Sequence, residues 1–203
     1  MKPTRLFVRA ALAALCCWPL AAPAQQAGTT RLATTSDEAA RHYFSDLPLL
    51  TQDGKAVRFY SDVLKDQVVL INFIYTHCAD ACPLAGRKLS QVQTLLGDAF
   101  GSGIRFVSIS VDPANDTPQA LRQYAERVDA RPGWTLLTGD NSEAIVRKLG
   151  QFTAEVEDHS MLLIAGNVKT GHWLKMRPDS SPHVIAEQLR QLAAEGGRGR
   201  PGS

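Results

Sequence analysis

Apolar residues recur along the chain in two rhythms. Val68 to Tyr75, Ile104 to Val111 and Trp134 to Leu137 are compact apolar runs, which read as buried strands. Between and after them the spacing changes to a helical one. Leu89, Val92 and Leu96 recur at i, i+3 and i+7; Leu121, Tyr124, Ala125 and Val128 share a face; Ile145, Val146 and Leu149 mark a shorter helix. Pro83 suits the first turn of the first of these helices, and Thr117 followed by Pro118 reads as the capped start of the second.

Hairpins flank this core. Phe44 to Leu50 and Val57 to Tyr60 are joined through Gln52-Asp53-Gly54, where Asp-Gly supplies a turn. Met161 to Ala165 and His172 to Met176 form the second hairpin through Gly166 to Gly171, and Ile185, Leu189 and Leu192 define a last helix. Strands alternating with helices predict a largely parallel sheet, and the later hairpin predicts an antiparallel edge. The order fits an α/β, thioredoxin-like fold: a central mixed sheet flanked by helices, with an N-terminal hairpin extension.

The first residues follow a different pattern. Lys2, Arg5 and Arg9 precede an apolar run from Ala10 to Leu20, and Ala22-Pro23-Ala24 has the small-residue form of a cleavage site. Residues 1–24 therefore read as a secretory signal peptide, too short in its apolar part for a comfortable membrane span. The expectation is an exported, periplasmic protein, soluble after cleavage; an uncleaved N-terminus acting as a tether is the lesser alternative. Cys16 and Cys17 raise a lipoprotein reading, against which Leu15 stands where a small residue is wanted. Residues 25–41 read as a flexible leader, 42–194 as one domain and 195–203 as a disordered tail.

Cleavage changes the charge and the cysteine count. Basic residues fall from 22 to 19 against 20 acidic ones, a net charge near −1, so the basic precursor gives no reason to expect nucleic acid. Of four cysteines only Cys78 and Cys82 remain, in the turn between the strand at Val68 and the helix opened by Pro83. They can pair with each other, with a metal or with a partner protein. The helix N-terminus favours thiolate over thiol, and Cys82 is expected to have the lower pKa of the two.

Three residues separate the cysteines, which leaves room for both sulfurs to reach one soft metal and still allows a disulfide. Two thiolates suit Cu(I), and an added imidazole suits copper in either oxidation state. Five histidines compete for that role. His42 lies in the leader region, while His172 and His183 occupy positions that read as solvated. His77 would point away from the neighbouring sulfur if the strand continued to it. His159, in Glu157-Asp158-His159-Ser160, approaches the strand at Met161 where a thioredoxin-like fold brings a loop beside the cysteine turn. A purely structural disulfide is the plain alternative, though so short a loop would stabilise weakly. Asp112 can tune the site, receive a partner or merely shape the turn before Pro113.

Three blocks in order give the sequence a resemblance to the Sco/SenC family of copper-binding, thioredoxin-like proteins, across residues 44–192. They are Thr76-x-Cys78-x3-Cys82-Pro83, Ser110-Val111-Asp112-Pro113-x-x-Asp116-Thr117-Pro118, and Asp158-His159-Ser160. The resemblance implies copper ligands at Cys78, Cys82 and His159, and a role in assembling the dinuclear copper (CuA) centre of cytochrome c oxidase. Implied partners are the copper-bearing oxidase subunit or another copper carrier, with a thioredoxin-like reductant for the thiols. Ala79 stands where the family often has proline, and Ile164-Ala165-Gly166-Asn167-Val168 replaces its usual Asp-x-x-Gly turn.

Two functions follow. A metallochaperone would pass copper on by ligand exchange and need not be an enzyme. A thiol-disulfide oxidoreductase would use Cys78 and Cys82 as a redox pair, one attacking a partner disulfide and the other resolving it. His159 separates them, because copper binding needs it and thiol exchange does not. A peroxidase reading finds no Thr or Arg that can be placed around a reacting sulfur.

Overall fold

The computed structural model describes residues 37–77, 81–153, 155 and 161–195, with the backbone alone at 81–83. Residues 37–44 are helical (α1), and β1 (Pro48–Thr51) and β2 (Ala56–Arg58) form the first hairpin. The core alternates β3 (Val68–Ile74), α2 (Ala81–Leu96), β4 (Ile104–Ser110), α3 (Pro118–Arg127), β5 (Trp134–Thr138) and α4 (Ser142–Lys148). The chain ends in β6 (Leu163–Asn167), β7 (His172–Met176) and α5 (Pro182–Glu195).

All seven strands join one sheet in the order β2-β1-β5-β4-β3-β6-β7. β3, β4 and β5 run parallel, as the alternating pattern predicts, and β6 and β7 form the antiparallel edge that the later hairpin predicts, while β1 adds antiparallel to β5. The N-terminal hairpin widens the sheet beyond β5. Its Asp53-Gly54 turn places Gly54 at φ +75°, the left-handed region open to glycine. Gln52 prolongs the contact with β5, its side-chain oxygen accepting from Leu136 N–H at 2.9 Å.

Strand alternation divides the core in two. Leu70 and Ile74 of β3, with Phe106, Trp134 and Leu136, face a layer made by α2, α3 and α5 through Leu89, Val92, Leu121, Tyr124, Ile185 and Leu189. Val69, Ile71 and Phe73, with Val107, Ile109 and Leu137, face Phe44, Phe59, Val63, Ile145 and Val146. Every residue of β3 is buried, as a strand covered on both faces requires.

Two local structures differ from the pattern. The second strand of the first hairpin stops at Arg58, and Phe59–Leu64 turn as a π-helix. Phe59, Tyr60, Val63 and Leu64 are buried at helical spacing, and Asp62 accepts from Arg58 N–H at 2.8 Å to start the turn. The helix α1 also occupies residues 37–41, which read from sequence as leader. Its Asp37 accepts from Tyr60 Oη at 2.7 Å and from Lys65 Nζ at 3.1 Å, which fastens it to the domain.

Candidate functional site

β3 and β4 remain paired to Ile74 opposite Ser110, and Val111 N–H reaches Ile74 O at 2.9 Å. The ladder ends there, at the sheet end where α/β folds gather ligands. The backbone N–H of Thr76 then has no ladder partner. The carboxylate of Asp116 replaces it, accepting from Thr76 N–H at 2.9 Å and from Thr76 Oγ1 at 2.6 Å on the same oxygen. The other oxygen accepts from Ser110 Oγ at 2.6 Å. Asp116 is fully buried.

The loop carrying Asp116 is itself folded. Asp116 N–H donates to Asp112 O at 2.9 Å, Asp112 N–H donates to Ser110 Oγ at 3.0 Å, and Asn115 Nδ2 holds the Asp112 carboxylate at 2.9–3.0 Å. Thr117 caps α3, its hydroxyl accepting from Ala120 N–H at 3.2 Å, with Pro118 in the first turn as predicted. From that helix Arg127 Nη2 donates to Thr76 O at 3.2 Å. Thr76 is thus held on its N–H, its hydroxyl and its carbonyl.

Of the predicted site residues, Cys82 lies in the first turn of α2, where its backbone is helical. Cys78 and His159 lie outside the described residues. The chain just after Cys82 and the chain just after His159 converge. Met161 and Leu163 line one groove with Leu84, Ala85, Lys88, Leu89 and Pro178, so the segment two residues beyond His159 meets the segment two residues beyond Cys82. The antiparallel register of β6 on β3 brings the same end of β6 toward the end of β3.

The other histidines are placed clearly. His42 and His183 are exposed, and His172 is exposed and paired with Glu195 at 2.9 Å. His77 lies past the strand, so alternation does not set its direction. The strand ends at Ile74, and His77 sits in a turn with Nδ1 at 3.4 Å from Thr76 Oγ1. Its ring and the carboxylates of Asp112 and Asp116 offer ligand atoms within 4.8 Å of one another, the one such grouping among the described residues. Hard oxygens dominate it, and Asp116 already accepts three hydrogen bonds, so the group serves better as a frame than as a seat for a soft cation. The sequence singles out Asp112 before Pro113 and assigns Asp116 no role of its own. The only signal for Asp116 was its place in the Ser110 to Pro118 block.

A family model described as SCO1/SenC matches residues 35–174. The SCO2-like protein of Rickettsia conorii is 34% identical over 160 residues, covering 71% of this chain and 74% of that protein. The SCO1 protein homolog of Bacillus subtilis is 37% identical over 95 residues, 46% of this chain and 48% of its own. Among solved structures, copper-bound ScoI of Bradyrhizobium japonicum aligns with a TM-score of 0.61 at 28% identity, over 71% of this chain and 96% of that one.

Proposed function

The chain belongs to the SCO1/SenC family, and on that premise we propose that it is an exported copper carrier that binds one copper through Cys78, Cys82 and His159. The carrier works in the periplasm and assists assembly of the CuA centre of cytochrome c oxidase. The observation that carries this reading is the convergence on one groove of Leu84 and Ala85, just after Cys82, with Met161, just after His159. The start of α2 and the approach to β6 meet there, which supports a site that draws thiolate from the first and imidazole from the second. The copper-bound state of the Bradyrhizobium relative supports copper as the cargo.

Two thiolates and an imidazole form a soft set that accepts Cu(I) and tolerates Cu(II). Delivery is ligand exchange: an incoming thiolate of the acceptor bonds copper as one of the carrier's ligands leaves, with no change in the metal's oxidation state. Acceptors are the copper-bearing oxidase subunit or another copper carrier. Loading requires both thiols, so a thioredoxin-like reductant serves the same pair. No helix among the described residues is long and apolar enough to cross a membrane.

The test is an anaerobic copper titration of the reduced chain, with Cys16 and Cys17 replaced by Ser, followed by electronic and EPR spectra. A one-to-one Cu(II) complex with thiolate-to-copper charge transfer, lost in Cys82→Ser and in His159→Ala, is the expected result. If copper only oxidises the pair to a disulfide, the carrier role falls and the dithiol-exchange role stands. His159→Ala should then leave exchange rates within about a few-fold, since exchange needs only the thiols.

A further inference from the structure

We propose that Asp116 is a positioning residue that sets the geometry of the Cys78–Cys82 turn through Thr76; the inference rests on the reading that this turn holds copper. A fully buried carboxylate is costly unless donors satisfy it. Here it accepts from Thr76 N–H at 2.9 Å, Thr76 Oγ1 at 2.6 Å and Ser110 Oγ at 2.6 Å. No ion pair to it occurs among the described residues. Neutral donors therefore hold the charge, and two of the three belong to a residue separated from Cys78 by His77 alone.

The arrangement acts as a clamp between two chain exits. Ser110 is the last residue of β4 and is fixed by the parallel ladder to Ile74. Asp116 transfers that fixed position to Thr76, which lies past the end of the ladder, and Arg127 closes the other side by donating to Thr76 O at 3.2 Å. Short bonds to an ionised acceptor are stronger and more directional than neutral ones. Ligands carried on a pre-ordered turn bind a metal without first losing the freedom of a loose one. The clamp thus contributes to copper affinity without touching copper.

Asp116→Asn is nearly isosteric and keeps one oxygen toward Thr76, but it removes the charge and turns a donor toward Ser110. The readouts are Cu(I) affinity, by competition with bicinchoninate, and amide hydrogen exchange at Thr76, in the reduced full chain carrying Cys16→Ser and Cys17→Ser. Thr76→Val is the second variant, since it deletes the hydroxyl bond and leaves the main-chain one. Asn167→Ala controls for general loss of stability. Asn167 is buried at the opposite end of the sheet, where its Nδ2 donates to Leu192 O at 2.8 Å.

The expected result is a loss of Cu(I) affinity of about tenfold or more in Asp116→Asn, a smaller loss in Thr76→Val, and exchange at Thr76 faster by a similar factor, with Asn167→Ala unchanged in both. Wild-type affinity and protection in Asp116→Asn would overturn the inference. So would equal losses in Asn167→Ala, which would show only lowered stability. If the wild type binds no Cu(I), the copper reading fails separately, and the clamp is judged on the dithiol couple. The protein disulfide is equilibrated with dithiothreitol, which supplies two electrons and two protons and closes to its own cyclic disulfide. A clamp predicts that Asp116→Asn shifts this equilibrium toward the dithiol while Asn167→Ala does not; no shift would overturn it.

Discussion

Asp37 fastens α1 to the domain, and its protonation links acid to the stability of that attachment. Its hydrogen bond from Tyr60 and then the bond and charge of Lys65 hold its carboxyl below the ordinary 3.8. Its contribution is therefore complete above that ordinary value and is lost as pH falls through the lowered one. Burial, and next the bond to Asp37, push the Tyr60 phenol above its ordinary 10.0. That contribution is complete below pH 10 and lost as pH rises toward the raised value. Tyr60→Phe should cost about 1 kcal/mol at neutral pH. In urea unfolding the difference from wild type should shrink as pH falls below 3.8 and again above pH 10, where only the wild type ionises a phenol at position 60 on unfolding. A pH-independent difference would show that packing alone is affected.

At the scale of elements, α2 carries Cys82 and approaches α3 through Gly86. A Cβ at Gly86 would collide with Val128 and come within 3.2 Å of Tyr124 Oη. Gly86→Ala would gain about 1 kcal/mol in helix propensity and lose about 1–3 kcal/mol to overpacking. A net fall in thermal midpoint, with α2 displaced from α3, is the expected outcome; an unchanged or raised midpoint would show that Val128 moves aside freely. Much of this level was legible in the sequence. β3, β4 and β5 are dictated by apolar runs, and the Thr117 cap by its proline neighbour, because both signals are local. The π-helix at Phe59–Leu64 was not, since four buried residues after a hairpin strand continue the strand pattern until Asp62 turns the backbone. Asp116 was hidden for a different reason. Its partner Thr76 lies 40 positions away, and no periodicity records a bond between two loops. The direction of His77 hung on where β3 ends, and an apolar run that continues to Tyr75 does not mark the stop at Ile74.

Across the whole molecule, the two core layers share one sheet, and β3 stands near its centre between β4 and β6. Along the chain those partners are far from equal. β4 follows β3 after one helix, whereas β6 begins at Leu163, beyond α3, β5 and α4. A nascent chain that has reached α4 can therefore build β3, β4 and β5 while one side of β3 still lacks its partner. That side is a row of free backbone donors and acceptors along Val68–Ile74, an uncharged segment rich in β-branched residues. A chain ending at residue 160 should consequently self-associate, with increased thioflavin fluorescence and light scattering relative to the full chain; a monomeric fragment would show that the open edge is covered in another way. The last hairpin is thus the step that makes the growing chain safe from its own kind, and the interval before its synthesis is when this protein most needs a chaperone.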